Sequence, residues 1–159
     1  MEMCVCVCNA MGSDLDSALR LVFGKRGAEL SIERSFASIK TEYAKANLLA
    51  PLSETLGDMD WCRQIRNQYA HTHWYYTKHE GLCFVDLETL VKRSSPIQKV
   101  TARRHSISLP LLEDQENYFG YIKQCFWNLQ FEYLKWARRP IPIPPVARPS
   151  KIARPHLHS

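Results

Sequence analysis

The sequence predicts an all-α protein, a compact helical bundle of about four to five helices, with or without one short β-hairpin and with a disordered Pro- and Arg-rich C-terminal tail. Apolar residues recur at three- and four-residue steps in several long segments. Hydrophobic residues make up 45% and charged residues 23% of the 159 residues, as in ordinary globular proteins. Six of the nine prolines lie in residues 138–159. We therefore expect a flexible N-terminal arm (1–13), a helical domain (14–137) and a basic Pro-rich tail (138–159).

The first ten residues carry three cysteines at alternate positions, Cys4, Cys6 and Cys8. Alternation is the period of a β-strand, so the segment is either a mobile arm or a short strand-like arm. It lacks the basic start and long apolar core of a secretory signal. No apolar run in the chain reaches the length of a transmembrane helix. We therefore expect a cytoplasmic protein that keeps its cysteines reduced and does not enter a membrane.

Two helices are predicted before the centre of the chain. The first spans Asp14–Phe23, where Ser13 or Asp14 can cap the helix N-terminus. The second spans Ser31–Leu49, with Ser31 as its N-cap. Pro51 is predicted to end this helix, because the residue before a proline disfavours the helical conformation. The predicted core positions of the second helix are Ile32, Phe36, Ile39, Tyr43 and Ala46.

The segment Asp60–Trp74 reads D-W-C-R-Q-I-R-N-Q-Y-A-H-T-H-W and is the richest in polar chemistry. Its apolar residues have the spacing of an amphipathic helix: Met59, Cys62, Ile65 and Tyr69. Arg63, Asn67 and His71 are spaced by four residues, which places them on one polar stripe, with Arg66 next to Asn67. A guanidinium binds phosphate or carboxylate through a planar fork, and an imidazole transfers protons near neutral pH. These residues form either a functional site or an ordinary polar helix surface.

The pattern R-N-x-x-x-H formed by Arg66, Asn67 and His71 resembles the signature of the HEPN superfamily. That signature is Arg, usually a polar residue such as Asn, and His after four to six intervening positions. The run I-E-R-S-F-A-S-I-K-T-E-Y-A-K-A-N-L-L, followed by I-R-N-Q-Y-A-H, is similar to the mannitol operon repressor branch. The resemblance covers residues 30–73 well and residues 118–136 loosely. Toxin-type members, which are paired with antitoxins, have Tyr two positions after the His, where this chain has His73.

The HEPN resemblance implies a metal-independent endoribonuclease without a cofactor, acting on RNA as a homodimer with two copies of the motif at a two-fold axis. His71 would act as general base on the ribose 2′-OH or as general acid on the leaving 5′-oxygen. Arg66 would stabilise the charge that develops on the phosphate oxygens. Asn67 would orient His71 or the scissile phosphate.

The resemblance to the mannitol operon repressor implies a different class of function, a non-catalytic transcriptional regulator. The motif would then stabilise the dimer or bind an anionic ligand. The sequence contains no helix-turn-helix with a basic recognition helix, so such a protein would act through a regulatory protein partner.

Aromatic residues and possible metal ligands follow the motif. Trp74–Tyr76 can stack on bases or pack at an interface, in a segment predicted to be a loop. His71, His73, His79 and Cys83 do not have the spacing of a zinc site, so we predict no bound metal.

A basic stretch lies further along the chain. Lys92–Leu109 contains five Lys or Arg residues and no acid. Arg103 and Arg104 are therefore candidate phosphate ligands, together with Arg63 and His73 beside the motif.

The final helix is predicted over Glu113–Trp136, with acidic residues in its first turn. Its apolar face is wider than one partner helix requires, and this surplus predicts a homodimer. The core positions of that face are Tyr118, Ile122, Cys125, Leu129 and Tyr133. The tail after it holds five cations, equal to the net charge of +5. The tail either binds an anionic partner or an SH3-like groove, or only keeps the chain soluble.

Overall fold

Five α-helices and a small antiparallel sheet make up the described part of the chain. The structure, a computed structural model, describes residues 2–23, 28–70, 72–86, 105–142 and 144–157; of residues 23, 28–31 and 86 it describes only the backbone. In chain order the elements are α1 (Glu2–Met11), α2 (Leu15–Phe23), α3 (Ala28–Lys45), α4 (Leu49–Ala70), β1 (Thr72–Thr77), β2 (Gly81–Asp86), β3 (His105–Ser106) and α5 (Leu109–Trp136). The predicted predominance of helix is confirmed for these residues. The sheet has one strand more than the single hairpin that the sequence allowed.

The N-terminal segment is a helix, not the flexible or strand-like arm that the alternating cysteines predicted. α1 packs against α2 and α3 and buries Met3, Cys4, Cys6, Val7 and Ala10. These positions follow the helical period, which is present in the same residues as the alternation of the cysteines. Trp127 donates its indole N–H to the Glu2 carboxylate at 2.9 Å. Arg139 donates to the Asn9 carbonyl at 2.6 Å, at the helix end where carbonyls lack helical partners.

Asp14 caps α2, as one of the two caps that the sequence allowed. Its carboxylate accepts the Ser17 backbone N–H at 2.8 Å and the Ser17 hydroxyl at 2.9 Å. These hydrogen bonds, the backbone one foremost, lower the pKa of Asp14 because they favour its charged form. α3 begins at Ala28, so Ser31 lies inside that helix and is not its N-cap.

The connection between α3 and α4 differs from the prediction. Asn47 has a φ of 57°, and the Leu48 N–H donates to the Tyr43 carbonyl at 2.8 Å, an arrangement that ends many helices. α3 therefore ends at Lys45, well before the predicted stop at Pro51. Pro51 lies instead in the first turn of α4. Backbone N–H groups in that turn have no acceptor within the helix, so the N–H that proline lacks costs no helical hydrogen bond.

The aromatic segment after the motif forms a β-hairpin, not the predicted loop. β1 pairs antiparallel with β2, from Thr72 opposite Asp86 to Thr77 opposite Gly81, and β2 pairs with β3. Apart from one histidine, β1 consists of Thr, Trp and Tyr, which favour strands. Gly81 has a φ of 73°, a conformation that glycine adopts without steric cost.

α5 begins earlier than predicted, at Leu109. Ser108 caps it, since its hydroxyl oxygen accepts the Leu111 N–H at 3.3 Å. Glu113 consequently lies in the second turn and not in the first. The predicted core positions are all buried: Tyr118, Ile122, Cys125, Leu129 and Tyr133. Four large apolar side chains of this helix remain exposed: Leu109, Phe119, Trp127 and Trp136.

The chain divides into two units by its packing. Residues 1–60 and 120–152 form the first unit, and residues 61–119 and 153–159 form the second. In the first unit the buried rings of Tyr43 and Tyr133 stack with their centroids 4.8 Å apart. In the second unit Cys62, Ile65 and Phe84 are buried. α1 and the C-terminal residues thus belong to the same units as the residues of the predicted helical domain.

The described C-terminal residues form no helix or strand, yet they do not behave as a disordered tail. In the first unit Asn128 donates its side-chain amide to the Val146 carbonyl at 2.8 Å. Arg148 and Lys151 both pair with Glu54, at 2.5 and 2.6 Å. The prediction of disorder failed because a chain without internal hydrogen bonds leaves its carbonyls free to accept from helix side chains.

The end of α5 predicts a stabilising substitution. Arg138 has a φ of 52°, in the left-handed region that costs a non-glycine residue about 1 kcal/mol. Arg138→Gly should therefore raise the free energy of unfolding, by about 0.5–1 kcal/mol relative to Arg138→Ala, which keeps the steric cost. Urea unfolding monitored by circular dichroism measures both variants. A Gly variant no more stable than the Ala variant would contradict this account.

Glu54 predicts a pH-dependent contribution to stability. Hydrogen bonding from Lys151 is the largest cause of its lowered pKa. Such a contribution is complete above the unfolded-state pKa of about 4.3 and is lost as the pH falls through the lower folded-state pKa. Glu54→Gln should reduce the free energy of unfolding at pH 7 by less than about 1 kcal/mol, because both partners are partly exposed and screened by solvent. The difference from wild type should shrink as the pH falls below 4.3.

Urea unfolding at a series of pH values measures this difference. Glu33→Gln, an exposed substitution on α3, is the matched control and should show no comparable pH trend. A Glu54→Gln effect that is the same at pH 7 and pH 3 would show that the charge of Glu54 does not stabilise the fold.

Candidate functional site

The C-terminal half of α4 carries the motif residues, within the second unit. Cys62 and Ile65, on the predicted apolar face, are only 6% and 1% exposed. Their burial sets the rotation of the helix about its axis, and Arg66 and Asn67 are exposed to solvent as a consequence. Arg63, one turn earlier on the predicted polar stripe, is half-buried.

Arg66 and Asn67 are joined by a hydrogen bond. The Arg66 guanidinium donates from Nη1 to Asn67 Oδ1 over 3.3 Å. A guanidinium has five N–H donors, so this bond occupies one of them. The remaining donors retain the planar fork with which arginine binds a phosphate or carboxylate. The bond joins the two side chains on the exposed surface of the helix.

His71, the third residue of the motif, lies outside the described residues, as do Arg103 and Arg104. The backbone on both sides of His71 is defined. α4 ends at Ala70 and β1 begins at Thr72, whose hydroxyl donates to the Tyr69 carbonyl at 2.9 Å. That hydrogen bond satisfies a carbonyl of the last helical turn, which has no helical partner.

Exposed rings lie on β1, directly after the motif. His73 and Tyr75 project from the same side of the strand, because side chains alternate along it. Their ring centroids lie 6.5 Å apart with planes inclined by 21°. His73 is exposed and Tyr75 half-buried, and Tyr76 is 75% exposed. These rings form an exposed aromatic surface on the strand that follows the motif helix.

Trp74 has a packing role, one of the two roles that the sequence left open for it. Its ring centroid lies 5.3 Å from that of Tyr69 and 5.2 Å from that of Phe84. His105 stacks on the same Phe84 ring at 5.2 Å. This aromatic cluster joins the sheet to the end of α4 and so positions β1 relative to Arg66.

Tyr69 also links α4 to α5. Its hydroxyl donates to Gln115 Oε1 at 2.8 Å. Burial raises the pKa of Tyr69, with the hydrogen bond to Gln115 opposing this effect. The phenol therefore stays protonated at neutral pH and serves as a hydrogen-bond donor.

Sequence reasoning missed Trp61 and Gln115, which hold the last described residues of the chain. The Trp61 indole N–H donates to the Pro155 carbonyl at 3.1 Å, and the Arg154 guanidinium lies over the Trp61 ring, 5.4 Å from its centroid. Gln115 donates its side-chain amide to the His156 carbonyl at 3.1 Å. One signal in the sequence could have indicated this contact. The tripeptide Ala-Arg-Pro occurs at residues 147–149 and again at 153–155, a spacing of two polyproline turns.

The buried thiols are poor candidates for nucleophiles. Burial raises the pKa of Cys6 to about 12 and also raises the pKa values of Cys4 and Cys125. The thiolate is the reactive form, so these cysteines stay protonated and inert at neutral pH. Cys125 is a core residue, as predicted.

Neither metal-ligand clusters among the described residues nor similarity to known proteins indicates a further site. Where side chains are described, no three His, Cys, Asp or Glu residues come together as a metal site would require. Within the same residues, every helix is too short or too polar to serve as a membrane span. Comparisons of the chain with protein-family models, curated proteins and solved structures find no match.

Proposed function

We propose that this protein is a metal-independent endoribonuclease of the HEPN type, with Arg66, Asn67 and His71 as its catalytic residues. The observation that carries the proposal is the exposed, hydrogen-bonded pair of Arg66 and Asn67. This pair forms the first two residues of the R-N-x-x-x-H pattern, of which His71 is the last. An exposed guanidinium joined to an amide, with a histidine four residues further along the chain, supplies the types of group that RNA transesterification needs.

In the proposed reaction the ribose 2′-oxygen attacks the adjacent phosphorus and the bond from phosphorus to the 5′-oxygen breaks. The products are a 2′,3′-cyclic phosphate and a 5′-hydroxyl. One imidazole takes the proton of the 2′-OH and another delivers a proton to the leaving 5′-oxygen. Two copies of His71, one from each subunit of a dimer, would divide these roles. Arg66 stabilises the charge on the phosphate oxygens. Asn67, which accepts a hydrogen bond from Arg66, orients His71 or the scissile phosphate.

Binding of the RNA strand would use groups beside the motif. The exposed rings of His73 and Tyr76 are available for base stacking, which is tolerant of sequence. Arg63, Arg103 and Arg104 are the proposed phosphate contacts, as the sequence predicts.

Substitution of the motif tests the proposed chemistry. His71→Ala and Arg66→Ala should each lower the rate of RNA cleavage by about 10²- to 10⁴-fold, because each removes one proton-transfer or charge-stabilising group. The assay is cleavage of a mixed RNA pool, scored for 2′,3′-cyclic phosphate ends, with and without EDTA. Activity should survive EDTA, because neither the attack nor the proton transfers in the proposed mechanism use a metal ion.

Arg20→Ala is the matched control, since Arg20 is an exposed cation on α2. It should cleave RNA at the wild-type rate. Wild-type protein that yields no cyclic-phosphate ends would reject the nuclease and favour the transcriptional regulator. Cleavage that persists undiminished in purified His71→Ala would reveal a contaminating nuclease.

Dimerisation is the second expected property. Phe119, Trp127 and Trp136 of α5 are exposed by 42%, 38% and 45%, and such large apolar side chains favour association with another surface. Light scattering at micromolar concentration should give twice the chain mass of 18.5 kDa. A monomer at every concentration would remove the two-copy site described above. Cleavage by a monomer would require a different general acid.

A further inference from the structure

The second unit binds an extended piece of its own chain. Pro155 is buried, while Arg154 and His156 on either side of it are exposed. The contacts come from Trp61 on α4 and Gln115 on α5, which are far from this segment in sequence. Successive backbone carbonyls of the segment, those of Pro155 and His156, each accept one side-chain hydrogen bond.

The contact chemistry matches that of peptide recognition. An indole N–H that donates to a backbone carbonyl, together with an aromatic surface, is how grooves for proline-containing ligands read an extended chain. The indole face of Trp61 also receives the Arg154 guanidinium, a favourable cation–π geometry. Gln115 adds a second donor for the backbone, and Tyr69 holds the Gln115 carbonyl oxygen from the other side. In this segment Arg154 lies on the indole ring, Pro155 is buried, and the carbonyls of Pro155 and His156 accept hydrogen bonds.

The segment is attached in a way that permits its release. It contains no helix or strand. Among the described residues, the contacts that hold it to Trp61 and Gln115 are side-chain hydrogen bonds and a ring contact, without the backbone ladder that secures a sheet strand. Segments held by side-chain contacts without a backbone ladder open at lower free energy than the packed core.

We propose that the surface formed by Trp61 and Gln115 is a recognition site for extended peptides that contain Arg-Pro, and that residues 153–157 are its internal, displaceable ligand. The site is separate from the Arg66–Asn67 pair and does not depend on the proposed nuclease activity. A partner protein with an exposed Arg-Pro segment would bind by replacing the chain's own segment.

The test uses a fluorescently labelled peptide with the sequence of residues 152–157, I-A-R-P-H-L. Its binding by fluorescence anisotropy is compared between the full wild-type chain and a full chain carrying Arg154→Ala and Pro155→Ala. The double variant should bind the peptide at least about tenfold more tightly. In the wild type the attached segment competes at an effective concentration in the millimolar range.

Two controls separate specific from general binding. Trp61→Phe, added to the double variant, keeps the ring but removes the indole donor, and should weaken binding about fivefold. A peptide with Ala in place of Arg and Pro should not bind. A folded double variant that does not bind the peptide, or that binds it no better than wild type, overturns the proposal.

If circular dichroism shows that the double variant is unfolded, the test is an NMR titration of the wild-type chain with the peptide. Unlabelled peptide at millimolar concentration should displace residues 153–157 and so shift the backbone amide resonances of Arg154 and His156 in the isotopically labelled chain. Resonances that stay unchanged at every peptide concentration overturn the proposal.

Discussion

The rotation of α4 about its own axis is the constraint on which the candidate sites depend. Burial of Cys62 and Ile65 sets that rotation within the second unit. Burial of an isoleucine such as Ile65 contributes roughly 1.5–3 kcal/mol, far more than an exposed polar contact, so the apolar face decides the orientation. Arg66 and Asn67 are then exposed to solvent, and the Trp61 indole N–H donates to the Pro155 carbonyl. The two proposed sites thus lie on surfaces whose orientation follows from the burial of one stripe.

Most cations of the C-terminal residues contact groups on the helices. The five cations of the tail account for the whole net charge of the chain and suggested a free basic arm for anionic partners. Arg139 instead donates to a helix-end carbonyl, Arg148 and Lys151 pair with Glu54, and Arg154 lies on an indole ring. An anionic ligand would have to compete with these internal partners. Four of the five cations therefore have internal partners in the fold.

Local signals in the sequence predicted the elements whose stability is local. The Asp14 cap, the apolar face of the motif helix and the buried positions of α5 all follow from side chains a few residues apart. Predictions failed where two local signals competed. The first residues contain both a strand-like alternation of cysteines and a helical set of apolar positions, and packing against α2 and α3 selected the helix. A proline likewise can end one helix or lie in the first turn of the next. The left-handed conformation of Asn47 ends α3 before Pro51, which therefore lies in α4.

By itself, the sequence determined the mostly helical character, the exposed polar pair Arg66 and Asn67, and the buried stripe of α5. Each of these follows from the spacing of apolar residues within a single segment of the chain. Only the tertiary structure decided that the aromatic run after the motif is a strand, that Tyr69 reaches Gln115, and that Trp61 holds Pro155. These features need partners 6 to 94 residues away in the chain. The free energy of such contacts depends on which surfaces the folded chain brings together, and no local pattern of residues encodes that choice.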